Sequence, residues 1–179
     1  SIGKCMKILN KICPLLVFSL SVYSAPSISG TIGSVNVEWT ANIITWGCTV
    51  SSASSDMTVP LGTWSTRNFS SGDYTTPVGF TISLSGCNSN TVAATFTGTS
   101  DSTNSNYLAL SSTSTSSNVA IEIKNSDKQL LPLNTISSAN AVDSSGNVTM
   151  SFFANYIGTG SNVTAGTANA DATFTLTYE

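Results

Sequence analysis

Gly33-Ser34-Val35-Asn36-Val37-Glu38-Trp39-Thr40 is the stretch on which the fold turns. Its apolar residues fall at every second position, the period of a strand with one buried and one wet face. Val35, Val37 and Trp39 share one side; Ser34, Asn36, Glu38 and Thr40 share the other. Burying three side chains of that size stabilises by roughly 1.5 to 3 kcal/mol apiece, so the segment gains from any apolar groove that takes it. It is either the first strand of its own domain or a strand lent to a neighbour, and the rest of the chain discriminates.

Outward from there the same period recurs. Val78, Phe80, Ile82 and Leu84 alternate with Gly79, Thr81, Ser83 and Ser85. Val119, Ile121 and Ile123 alternate with Ala120, Glu122 and Lys124, and Val148, Met150, Phe152, Ala154 and Tyr156 form a further face. Ala172, Phe174, Leu176 and Tyr178 alternate with threonines up to Glu179. Asn42 to Val50, Met57 to Gly62 and Ala93 to Gly98 read as further strands, with Pro60 at an edge or a bend because it cannot donate to a ladder. Asn125 to Lys128 is turn material between Lys124 and a short strand Leu130 to Leu133, which predicts a hairpin. Ser51 to Asp56, Ser70 to Pro77, Thr99 to Asn106 and the Ser/Thr run Ser111 to Ser117 read as solvated loops or turns. No window sustains a helical period. Many short strands separated by turn signals predict an all-β, immunoglobulin-like β-sandwich.

Hydrophobic residues make up 40% of the 179 and charged residues only 8%, so Ser, Thr and Asn supply the polarity. The N-terminus reads as a secretory leader over residues 1–24: Met6 as start, Lys7 and Lys11 as its positive region, and Pro14 to Val22 as an apolar stretch too short to span a bilayer. Residues 1–5 read as an extension upstream of that start, and cleavage is expected before Ala25. Without the leader, Arg67, Lys124 and Lys128 face nine acidic residues, a net charge of −6. That balance disfavours nucleic acid and anionic membrane surfaces, and no membrane span is expected after the leader is removed. Cys48 and Cys87 remain in an exported chain, where such a pair ordinarily forms a disulfide.

Catalysis and metal binding find little support. The chain has no His, and one thiol pair supplies too few ligands for a metal site. Asp101, Asp127 and Asp171 stand in no catalytic spacing. No cofactor is expected. Trp39, Trp46 and Trp64 could stack on sugar rings, but Trp39 lies in phase with Val35 and Val37, which favours a role in filling a groove.

On these residues the sequence resembles the subunits of chaperone/usher fimbriae, the type 1 pilin-like proteins of Gram-negative bacteria. The resemblance covers nearly the whole chain after the leader. It is carried by the Cys48 and Cys87 spacing, Val59-Pro60-Leu61-Gly62, the run Val78 to Leu84, a Phe96-Thr97-Gly98 turn, Leu108-Ala109-Leu110, Pro132-Leu133-Asn134 and the closing stretch Tyr156 to Tyr178. It implies an incomplete sandwich lacking its last strand, completed by a donor strand from another subunit. Strand addition of this kind is a known mode of recognition. The implied parts are a donor-strand extension over residues 25–40, with Gly33, Val35, Val37 and Trp39 as its plugs, and a pilin domain over 41–179. Phe174, Leu176 and Tyr178 would line the edge recognised by a chaperone. The family's donor segment carries a glycine at one inward position. Counting back from Cys48 places Val35 there, while the glycine itself selects Gly33. The implied partners are a periplasmic chaperone, an outer-membrane usher and neighbouring pilin subunits in a head-to-tail polymer. The implied role is a structural subunit of an adhesive surface fimbria, exported through the periplasm. A minor adaptor or a glycan-binding tip subunit is the alternative.

Overall fold

The computed structural model describes residues 47–179 and, as backbone, the strand Ser34–Glu38. The alternating stretches become strands. Val78–Ser85 forms β4, with Phe80, Ile82 and Leu84 buried, and Val148–Gly158 forms β8, with Val148, Met150, Phe152, Ala154 and Tyr156 facing the same interior. They pair antiparallel, Phe80 opposite Phe152 and Ile82 opposite Met150. With β2 (Thr49–Val50) and β6 (Val119–Lys124) they make a four-stranded sheet in the order β2-β4-β8-β6.

The second sheet contains β1 (Ser34–Glu38), β3 (Asp56–Pro60), β5 (Thr91–Gly98), β7 (Asn140–Ala141) and β9 (Asn169–Tyr178), in the order β3-β1-β9-β5-β7. Two sheets packed face to face around one apolar layer constitute the expected immunoglobulin-like β-sandwich. Its centre is aromatic: Phe96 from one sheet meets Phe152 from the other edge-on at 4.9 Å between ring centroids, with Phe80 6.0 Å and Phe174 6.5 Å from Phe96. Edge-on pairs of this kind add about 0.5 to 1.5 kcal/mol beyond area burial.

Cys48 and Cys87 are joined, as expected, with 2.04 Å between the sulfurs. The bond ties the start of β2 to the chain leaving β4, where Thr49 pairs with Ser85. Pro60 ends β3 at the border of its sheet, where a missing N–H costs least.

Several loop and strand expectations are corrected. Ser52–Ser55 is a single helical turn, α1, capped by Ser51, whose hydroxyl accepts from the Ser54 N–H at 3.2 Å. Too short for periodicity, it is signalled only by its Ser cap. The strand expected from Ala93 to Gly98 is found within β5, so Phe96-Thr97-Gly98 is strand rather than turn. The return strand after Lys124 shrinks to a single bridge at Leu130, beyond a turn in which Lys128 has φ 63°. Ser111 to Ser117 is laced to the segment before β9: Ser111 N–H donates to the Asn169 carbonyl at 2.7 Å and Thr115 N–H to that of Thr167 at 3.1 Å. Of the expected strand from Asn42 to Val50, residues 42–46 lie outside the described residues.

The segment Ser70 to Thr75 crosses the sandwich as a strap along the second half of β8. Ser71 and Tyr74 bridge Gly158 and Ile157, and Thr75 N–H donates to the Tyr156 carbonyl at 3.0 Å. A Cβ at Gly158 would run into the Ser70 carbonyl, so this approach requires glycine. The strap explains another departure. The outward side of β6, expected to be wet, is buried, with Glu122 and Lys124 8% and 10% exposed as side chains. Their charged groups lie 3.3 Å apart, Asn155 Nδ2–H donates to Glu122 Oε1 at 2.8 Å, and the Lys124 ammonium sits 4.2 Å above the Tyr74 ring.

Candidate functional site

The feature that sets this sandwich apart is what separates β3 from β9. They do not pair with each other; β1 lies between them, antiparallel to β3 and parallel to β9. Among the described strands β3 has no other neighbour in its sheet. Remove the strand between them and the ladders of both β3 and β9 lose their partner on the facing sides, an open edge over an apolar core.

The two walls are built unequally. On β9 the inward positions next to β1 are small, Ala170 and Ala172, each no more than 2% exposed, and Ala168 just before them is wholly buried. On β3 the corresponding inward residue is Val59, 3% exposed. In register, Val35 stands between Val59 and Ala170, and Val37 between Met57 and Ala172. Alanines on that wall take little of the interior volume, leaving room beside them that close packing requires to be filled. Tyr156 braces the groove from below: its hydroxyl donates to the Ala168 carbonyl at 2.7 Å in the interior. Burial pushes its phenol well above the usual range, so it stays a donor at any ordinary pH.

The outer face is acidic. Asp56 stands opposite Glu38, and Asp171 opposite Asn36. Partial withdrawal from water pushes the Asp171 carboxyl above the usual carboxylate range. Among the described residues the one salt bridge is Lys124 with Glu122, on the other sheet.

Of the residues singled out from sequence, Val35 and Val37 fall in the strand that occupies the groove, while Gly33 and Trp39 lie outside the described residues. Phe174 is buried in the core and Leu176 and Tyr178 are half-buried, all on β9. They pair with Phe96, Ala94 and Val92 of β5. The strand in the groove meets instead the nearer half of β9, Asn169 to Ala172. Sequence reading therefore named the far half of the edge. It missed the alanine floor, whose signal was the alternation already visible in Asn169-Ala170-Asp171-Ala172, and it missed β3 as the opposite wall.

A β-sandwich in which, among the described strands, β1 alone links β3 to β9 is of the class whose sheet is completed by one added strand. Comparison with known proteins supplies the family. The model of the fimbrial protein family matches residues 37–179. The fimbrial-like protein FimF of Salmonella typhimurium is 40% identical over 151 residues, 84% of this chain and 87% of the relative. Among solved structures, a Burkholderia pseudomallei antigen and type I fimbria protein superposes with a TM-score of 0.60 at 28% identity, covering 82% of this chain and 97% of that one. The P pilus rod subunit PapA gives 0.64 at 23% identity, over 74% and 99% of the two chains, a likeness of fold. The chain belongs to the fimbrial protein family, and it is a structural subunit of a surface fimbria.

Proposed function

We propose that this subunit polymerises head to tail by donor-strand exchange, its residues 25–40 entering the β3–β9 groove of the next subunit while its own groove takes the corresponding strand of another. The observation that carries this reading is the placement of Ser34–Glu38 between β3 and β9. The groove accepts this sequence, and the alanine floor suits its valines. A strand of one copy in a groove of another is a heterologous contact that does not close on itself, so repetition yields a filament. Before assembly the open groove requires a surrogate, the role assigned to a periplasmic chaperone recognising β9 through Phe174, Leu176 and Tyr178, with an outer-membrane usher delivering subunits to the surface.

A structural role is favoured over glycan binding at the tip. Trp64 is 36% exposed, but its indole N–H already donates to the Leu61 carbonyl at 2.6 Å, so its ring is fixed against its own loop. Deleting residues 26–40 tests the proposal: polymer is lost while the folded domain is retained in complex with a chaperone. Continued assembly of the truncated chain overturns it.

A further inference from the structure

The chain's own strand is constrained in its direction. After Glu38, eight residues, 39–46, lead to Gly47. Gly47 lies beside the last turn of the sheet: a Cβ there would stand 3.0 Å from the Tyr178 ring. The C-terminal end of β1 must therefore head toward the Tyr178 end of β9. The opposite direction would place Glu38 near Asn169, the far end of a ten-residue strand about 30 Å long. The linker's whole fully extended reach is itself about 30 Å. The opposite direction would need that linker drawn out to its full length, so tethering favours the parallel arrangement, the slightly weaker of the two ladders per residue.

That direction also fixes which charged residues are paired in register. In the parallel register Glu38 is the register partner of Asp56 on the antiparallel β3, and Asp171 is paired two residues earlier on the strand, with Asn36. Like charges directly opposite in a sheet are destabilising. A strand donated by another copy carries no such tether. Entering in reverse about the same central position, Asn36, it places Ser34 opposite Asp56 and carries its Glu38 to the Pro60 end.

We propose that Asp56 and Glu38 act as specificity determinants of the groove, disfavouring the chain's own strand and so selecting the reversed strand of a second subunit. The inference rests on the strand-exchange reading and adds to it how the groove tells self from neighbour. Specificity of this kind needs a repulsive element against the wrong occupant as well as contacts to the right one.

The test is a charge-swap cycle on the mature chain, read as the rate at which a fluorescent peptide of residues 30–40 displaces the internal strand. Glu38→Lys and Asp56→Lys each turn the repulsion into attraction and slow uptake about 2- to 5-fold; the double variant restores repulsion and the wild-type rate. High salt, at 1 M, removes most of the differences. Equal rates for all four proteins overturn the charge-selection proposal alone. Failure of every variant to take up peptide overturns the strand-exchange reading beneath it.

Discussion

Filling the alanine floor of the groove is the sharpest perturbation the packing offers. Ala170 is 1% exposed, lies on the inward face of β9 and stands beside Val35 in register. The pairing of β9 with β5 stops at Ala172 opposite Gly98, so position 170 serves the groove more than the β5 ladder. Ala170→Phe inserts a ring where the strand's valine must pack. Overpacking a filled site costs about 1 to 3 kcal/mol. At a factor of ten per 1.4 kcal/mol, that weakens binding of a residue 30–40 peptide about 5- to 150-fold. The assay is fluorescence anisotropy of labelled peptide, with Thr175→Val, on the exposed outer face of the same strand, as the control expected to change little. Peptide affinity unchanged in a folded Ala170→Phe protein would refute the assignment of this face as the seat of the strand.

Other consequences follow from named contacts. Replacing Cys48 and Cys87 by Ser opens a loop with a sequence separation of 39; the chain-entropy model expects a loss of about 4 kcal/mol, measurable by urea denaturation. Tyr156→Phe removes the buried bond to the Ala168 carbonyl and lowers stability by about 1 kcal/mol, which a shift in urea midpoint at constant slope reports. Because the Asp171 carboxyl is raised by desolvation, its ionisation opposes folding: the stability it permits is complete below the unfolded-state pKa and is lost as pH rises through the folded one. Asp171→Asn therefore raises the melting temperature at neutral pH and leaves it unchanged in acid, as thermal scans at the two pH values will read. Since β3 depends on the strand in the groove for its only ladder among the described strands, amides of β3 exchange with deuterium faster when residues 26–40 are deleted, and addition of the peptide restores protection.

The strand period made most of the sandwich legible before any coordinates. β4, β8 and β9 carry their alternation openly because one face of each meets the core and the other meets polar surroundings, and Phe80, Phe152 and Phe174 landed inside as that period requires. β6 was harder. Its outward Glu122 and Lys124 look solvated in sequence, yet the strap with Tyr74 and the side chain of Asn155 cover them. A contact made by residues about fifty positions away in the chain leaves no local trace. The Ser111 to Ser117 run misled for a related reason: hydroxyl-rich segments suit water and suit cross-linking to a neighbouring segment equally well, and only the fold brings Thr164 to Asn169 alongside. At the groove, the amphipathic strand announced itself. Its walls did not, since alanines at 170 and 172 have no hydrophobic emphasis and become meaningful only when a valine stands beside each.

The most direct measurement is a cross-link between two differently tagged chains. One carries Val37→Cys and the other Ala170→Cys, positions that stand opposite each other when a donated strand enters reversed about Asn36, itself opposite Asp171, and so come within reach of a disulfide as neighbouring strand residues. Co-expressed during fimbrial assembly, the two are expected to join as a mixed-tag, disulfide-linked dimer in purified fimbriae. Fimbriae that assemble with no mixed-tag dimer, while a single chain bearing Val35→Cys and Ala170→Cys, paired within one chain, closes on itself, would contradict the account.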